Sequence, residues 1–131
     1  MVAPGWAPHE CVRISGGGCG RIRASSAGIY RTAVRFAALA ERVARALPRA
    51  RAHVGLADQL RHAAASIVLN IAEGAAETRP AEKARFSRMA RRSAAECSAI
   101  LDLVATVAPG AIRPTPARSL LIRLSRVLNR L

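Results

Sequence analysis

Most of the chemistry this sequence can offer is carried by arginine. Of its 21 basic residues all but Lys83 are arginine, set against 8 acids. They recur at helical spacing in three sets: Arg31, Arg35, Arg42 and Arg45; Arg85, Arg88, Arg91 and Arg92; Arg123, Arg126 and Arg130. A guanidinium is a planar fork of N–H donors that grips phosphate oxygens in pairs, so such sets suit a polyanion. Few of these arginines have an acid three or four residues away to neutralise them. Aromatic residues make up only 3% of the chain, so base stacking has little to work with. Contact would fall on phosphate backbone rather than on base sequence. Two other readings stay open. Codon usage rich in G and C enriches alanine and arginine, and a net charge of +13 could instead meet an acidic protein.

Catalytic chemistry is poorly supported. His62, Ser66 and Glu73 lie on one flank of a helical pattern and have the residue types of base, nucleophile and orienting acid. On a helix, however, Ser66 and Glu73 are about 10 Å apart along the axis, beyond the successive contacts a triad needs. The expectation is a polar flank and no enzyme. Cys11, Cys19 and Cys97 are odd in number and lack zinc-ligand spacing; His9, Cys11 and Cys19 have no fourth ligand close by, which leaves a metal site one ligand short. This cysteine usage fits a reducing cytoplasm. The GGGCGR run of residues 16–21 lacks the Gly-Lys-Ser/Thr ending of a phosphate loop and reads as linker. No cofactor is expected. The longest uncharged apolar run, Ala63–Ala72, is too short to cross a bilayer, and no secretory signal is apparent.

Four helices must position the arginines. Residues 1–27, with Pro4, Pro8, a glycine run and Ser25-Ser26, read as a flexible tail, leaving 28–131 for the folded part. In the first helix Ile29, Phe36, Ala40, Val43 and Leu47 form the inner stripe, and Pro48 ends it. In the second, Leu56, Leu60, Ala63, Ile67, Ile71 and Gly74 do so. Thr78 is the expected N-cap of the third, ahead of Pro80 and Glu82. That helix should bury Phe86, Met89, Ala90, Ser93, Cys97, Ile100, Leu101 and Val104 before Pro109-Gly110 stops it. Thr115 is the expected cap of the fourth, with Pro116 at its first helical position, and its inner residues are Leu120, Leu121, Leu124, Val127, Leu128 and Leu131. Short connections between amphipathic helices predict an all-α, antiparallel up-down four-helix bundle. Leu69 and Ile122 fall outside the inner stripes and suggest a subunit interface.

Four further residues stand out as structural. Asn70 lies in the apolar stripe of the second helix, where its amide must be hydrogen-bonded and should set how a neighbouring helix packs. Gly74 either admits a close backbone or ends the helix. Glu73 and Glu96 are expected to neutralise particular arginines, Glu96 from a partly exposed position beside Cys97.

The run Gly55–Gly74 carries a signature: Gly55-Leu56, Gln59-Leu60-Arg61, Ser66-Ile67 and Asn70-Ile71-Ala72-Glu73-Gly74. It resembles the four helix bundle protein family, also called the 23S rRNA intervening-sequence proteins. Phe86 and Ser93-Ala94-Ala95-Glu96 match later features of that family. Val68 replaces a frequent proline, and Arg92 a frequent glycine. Members are encoded within intervening sequences of large-subunit rRNA genes. A related branch includes the accessory variability determinant of diversity-generating retroelements, a basic pentameric bundle that partners a reverse transcriptase and its RNA. The resemblance therefore implies an RNA-associated homo-oligomer, a pentamer, with a reverse transcriptase as a possible partner.

Overall fold

Alanine, leucine and arginine are strong helix formers, and four helices take up most of the chain. The computed structural model describes residues 12–14, 18–20, 24–49, 51–110 and 113–131. Helix α1 spans Ala24–Ala46, α2 Arg51–Ala76, α3 Pro80–Val107 and α4 Thr115–Leu128. Each buries one line of residues at steps of three and four. In α1 the line runs through Ile29, Ala33, Phe36, Ala40, Val43 and Ala44, continued by Leu47 just beyond the helix. In α2 it is Ala57, Leu60, Ala63, Ala64, Ile67 and Ile71; in α3, Ala90, Ala94, Cys97, Ile100, Leu101 and Val104. Helix α4 contributes Ala117, Leu121, Leu124 and Leu128. Helix α2 packs on α1 and α3, and α4 closes the square against the same two. The result is the expected antiparallel up-down bundle, with α1 and α3 across the core from each other.

The small residues let helices approach closely. A Cβ built on Gly74 would lie 3.1 Å from Phe86 Cβ, so the glycine serves the α2–α3 contact. It does not end α2, which runs on to Ala76. At the other end of α3, Gly110 takes a φ of 90°, a left-handed conformation that suits glycine and turns the chain toward α4.

Several local expectations are corrected. Arg79, not Thr78, occupies the N-cap of α3, with Pro80 opening the helix. The turn is tied by Glu77, whose Oε1 accepts the backbone N–H groups of Thr78 (2.8 Å) and Arg79 (3.0 Å). Those bonds stabilise its charged form and lower its pKa. Pro114 rather than Thr115 caps α4. Met89, Val127 and Leu131, expected inside, are exposed, while Phe86, Ser93 and Leu120 are half-buried. A helix with two neighbours buries only a narrow line, and these apolar residues sit on its shoulders.

Helix α1 begins ahead of Gly28, whose carbonyl accepts a bond from Thr32 Oγ1 (2.9 Å) within the helix. In the segment read as a tail without strand period, β1 (Val12–Ile14) pairs antiparallel with β2 (Gly18–Gly20), Arg13 opposite Cys19. β-Branched Val12 and Ile14 and a short glycine-containing connection favour such a pair. Trp6, His9 and Cys11 lie outside the described residues, and with them the weighed zinc site.

Candidate nucleic-acid interface

The inner stripes dictate where the arginines go. With Phe36 and Ala40 turned to the core, Arg31, Arg35, Arg42 and Arg45 are exposed on α1. On α3, Arg85, Arg88 and Arg92 are exposed and Arg91 is half-buried. Arg123, Arg126 and Arg130 are exposed on α4 and just past its end.

Two of these arginines are neutralised locally. Arg45 Nε donates to Glu41 Oε1 at 2.7 Å, and Arg85 Nη1 to Glu82 Oε2 at 3.2 Å. Arg85 also lies over the Phe86 ring, 5.9 Å from its centroid. The Arg45–Glu41 pair was legible as an i,i+4 spacing. Arg31, Arg35, Arg42, Arg88, Arg91, Arg92, Arg123, Arg126 and Arg130 make no ion pair among the described residues.

Tertiary packing joins the α1 and α4 sets. Between these helices runs a groove of about 520 Å³ lined by Arg35, Ala38, Leu39, Pro116, Ser119, Leu120 and Arg123. An unpaired arginine stands on each bank and no carboxylate is among the lining residues. The groove between α3 and α4, about 570 Å³, is different: Arg91 lines it together with Asp102, which is bonded to Arg118. The α3 arginines are therefore not brought to the α1–α4 groove.

The acids sort themselves away from that groove. Glu41 accepts Arg45 Nε on one oxygen and Arg61 Nε on the other, both at 2.7 Å. The two guanidiniums, Arg61 first, lower its pKa to about 2. Arg61, part of the Gln59-Leu60-Arg61 motif, ties α2 to α1 through Glu41 and also donates to Asp58 of its own helix at 3.1 Å. Its role follows from packing; only its i,i+3 pairing with Asp58 was visible in the sequence. Glu73 and Glu96 are both exposed and make no ion pair among the described residues, against the expectation that they neutralise arginines. Glu96 faces solvent and Cys97 takes the inward position.

Asn70 is buried, 8% exposed, and its amide is hydrogen-bonded. Nδ2 donates to the Ser66 carbonyl (2.8 Å) and to Ser66 Oγ (3.1 Å), within its own helix. The bond to α3 is made by Ser66, whose Oγ accepts from Ser93 Oγ at 2.9 Å. Asn70 itself makes no side-chain bond to α3 among the described residues and is linked to that helix only through Ser66. Neither His62, which is exposed, nor Glu73 bonds to Ser66. Cys97, buried among apolar groups, has its thiol pushed up to about 12 by desolvation and, secondarily, by the Glu96 charge. Among the described residues no cluster of three or more His, Cys, Asp or Glu side chains could hold a metal, and no helix is long and apolar enough to cross a membrane.

Comparison with protein families matches residues 26–129 to the model described as 23S rRNA-intervening sequence protein. No curated protein and no solved structure gives a match.

Proposed function

This chain belongs to the 23S rRNA-intervening sequence protein family, and on that footing we propose that it is a non-enzymatic bundle that binds the phosphate backbone of nucleic acid, RNA in the first place. The observation that carries the reading is the α1–α4 groove, with Arg35 and Arg123 unpaired on opposite banks and no acid among its lining residues. Arg31, Arg42 and Arg126 extend the positive field along the same two helices. A chain of net charge +13 gains more from a polyanion than from an uncharged partner. Without aromatic platforms the contact is electrostatic and tolerant of sequence. The protein works in the cytoplasm as a homo-oligomer, a pentamer by family resemblance, with Leu69 (60% exposed) and Ile122 (53% exposed) at the subunit contact. A reverse transcriptase is the protein partner that the resemblance favours.

Salt titration of single-stranded RNA binding tests the reading. Affinity falls with salt, with a log–log slope of about −0.7 per phosphate contact. Arg35→Ala with Arg123→Ala flattens that slope by about 1.4 and weakens unrelated sequences equally. Failure to bind RNA or DNA at low salt would shift the reading to a module that docks an acidic protein. Light scattering that finds a monomer at micromolar concentration would remove the oligomer.

A further inference from the structure

The turn from α1 to α2 leaves a second basic concavity, away from the α1–α4 groove and lined differently. Its volume is about 660 Å³, its polar lining is Arg45, Arg49, His53 and Arg61, and Leu47, Pro48 and Val54 are among its apolar lining residues. The carboxylates that pair with two of these arginines, Glu41 and Asp58, are not among the lining residues. Glu41 holds Arg45 and Arg61 through their Nε atoms, which leaves both Nη groups of Arg45 and Nη2 of Arg61 without a partner among the described residues. The acid therefore orients two forks without filling them. Arg49 makes no ion pair among the described residues. His53, which also lines the concavity, buries Nδ1 with no hydrogen-bond partner among the described residues.

We propose that this pocket, built from Arg45, Arg49, Arg61 and His53, binds a phosphate monoester, either free or at the end of a nucleic-acid strand. The inference goes beyond backbone binding and does not depend on it. A diester within a strand offers two free oxygens and one charge, and it must continue out of the site on both sides. A monoester offers three oxygens and close to two charges at neutral pH. Three guanidiniums around one concavity match the second pattern, because a monoester has three free oxygens and nearly two charges to share among them, whereas a diester has two oxygens and one charge.

Calorimetric titration of the full chain with inorganic phosphate at low ionic strength tests the site. Saturable binding is expected, weakened about tenfold by Arg49→Ala, the loss of one charge-assisted donor set. Arg49 is exposed, so its removal leaves the fold intact. Arg79→Ala, which removes the same charge at the opposite end of the bundle, is expected to change affinity less than about twofold. Imidazole resonances of His53 should shift with the same saturation curve. Oligonucleotides bearing a 5′-phosphate or a 5′-hydroxyl then distinguish the source. A preference for the phosphorylated end that disappears in Arg49→Ala assigns the pocket to strand ends, and equal binding of the two assigns it to free phosphate. Non-saturating phosphate binding, or an equal loss in Arg79→Ala, overturns the proposal. Loss of backbone binding in Arg35→Ala with Arg123→Ala leaves phosphate titration unchanged if both readings hold.

Discussion

Gly74 and Phe86 stand so close that a Cβ on the glycine would meet Phe86 Cβ at 3.1 Å. Gly55 lies in the same helix with nothing within 4 Å of such an atom. Gly55→Ala should therefore stabilise the bundle by about 0.5–1 kcal/mol through helix propensity alone. At Gly74 the same gain is opposed, since Phe86 Cβ is rooted in the α3 backbone and yields only if the helices part. Gly74→Val should cost about 1–3 kcal/mol as an overpacked contact. Denaturant melts of the variants check the contrast, and equal responses at the two glycines would refute it.

The Asn70–Ser66–Ser93 chain makes a prediction about coupling. Ser66→Ala and Ser93→Ala should be non-additive, with a coupling of about 0.5–1.5 kcal/mol. Asn70→Leu should leave helix content unchanged by circular dichroism and loosen the α2–α3 contact through Ser66. Additive effects of the two serine variants would show that the bond across the helices contributes nothing.

Glu41 sets an acid-dependent contribution. Its folded-state pKa, about 2, lies below the ordinary value of 4.5, so its stabilisation is full above that ordinary value and disappears as pH falls toward 2. The stability difference between the native chain and Glu41→Gln should therefore be present at neutral pH and shrink across that acidic window. Because the group is solvent-accessible, added salt should shrink it as well. A difference constant down to the acid limit would exclude the ion pairs as its origin.

Cys97 should be inert while the chain is folded. Burial and a thiol pKa near 12 keep it protonated at any working pH, and the thiolate is the reactive species. Mass spectrometry of the Cys97 peptide should show alkylation in denaturant and almost none in native buffer. Ready native labelling would mean that α3 detaches.

The paired and unpaired arginines should separate in RNA binding. Arg45→Ala removes a cation that Glu41 already half-neutralises, and Arg123→Ala one with no carboxylate beside it. The salt slope should change by about 0.7 for Arg123→Ala and by less for Arg45→Ala. Equal changes would mean that local pairing does not govern the field.

The sequence alone determined the helices, most of each inner line and the family. Periodicity at Leu60, Ile67 and Ile71, or at Leu121, Leu124 and Leu128, is a local property of spacing, and the signature from Gly55 to Gly74 is a string. Tertiary structure decided what spacing cannot express. Whether Thr78 or Arg79 caps α3 depended on Glu77, whose carboxylate took the N–H groups of both residues. Met89 and Val127 fell outside because two neighbours cover only a narrow line of each helix. Arg61 meeting Glu41, and Arg35 facing Arg123 across a groove, join residues far apart in the chain. Periodicity assigns a residue to a face of its own helix; only the packing of α1 on α2 and α4 chose which faces share a groove, and so which charges act together.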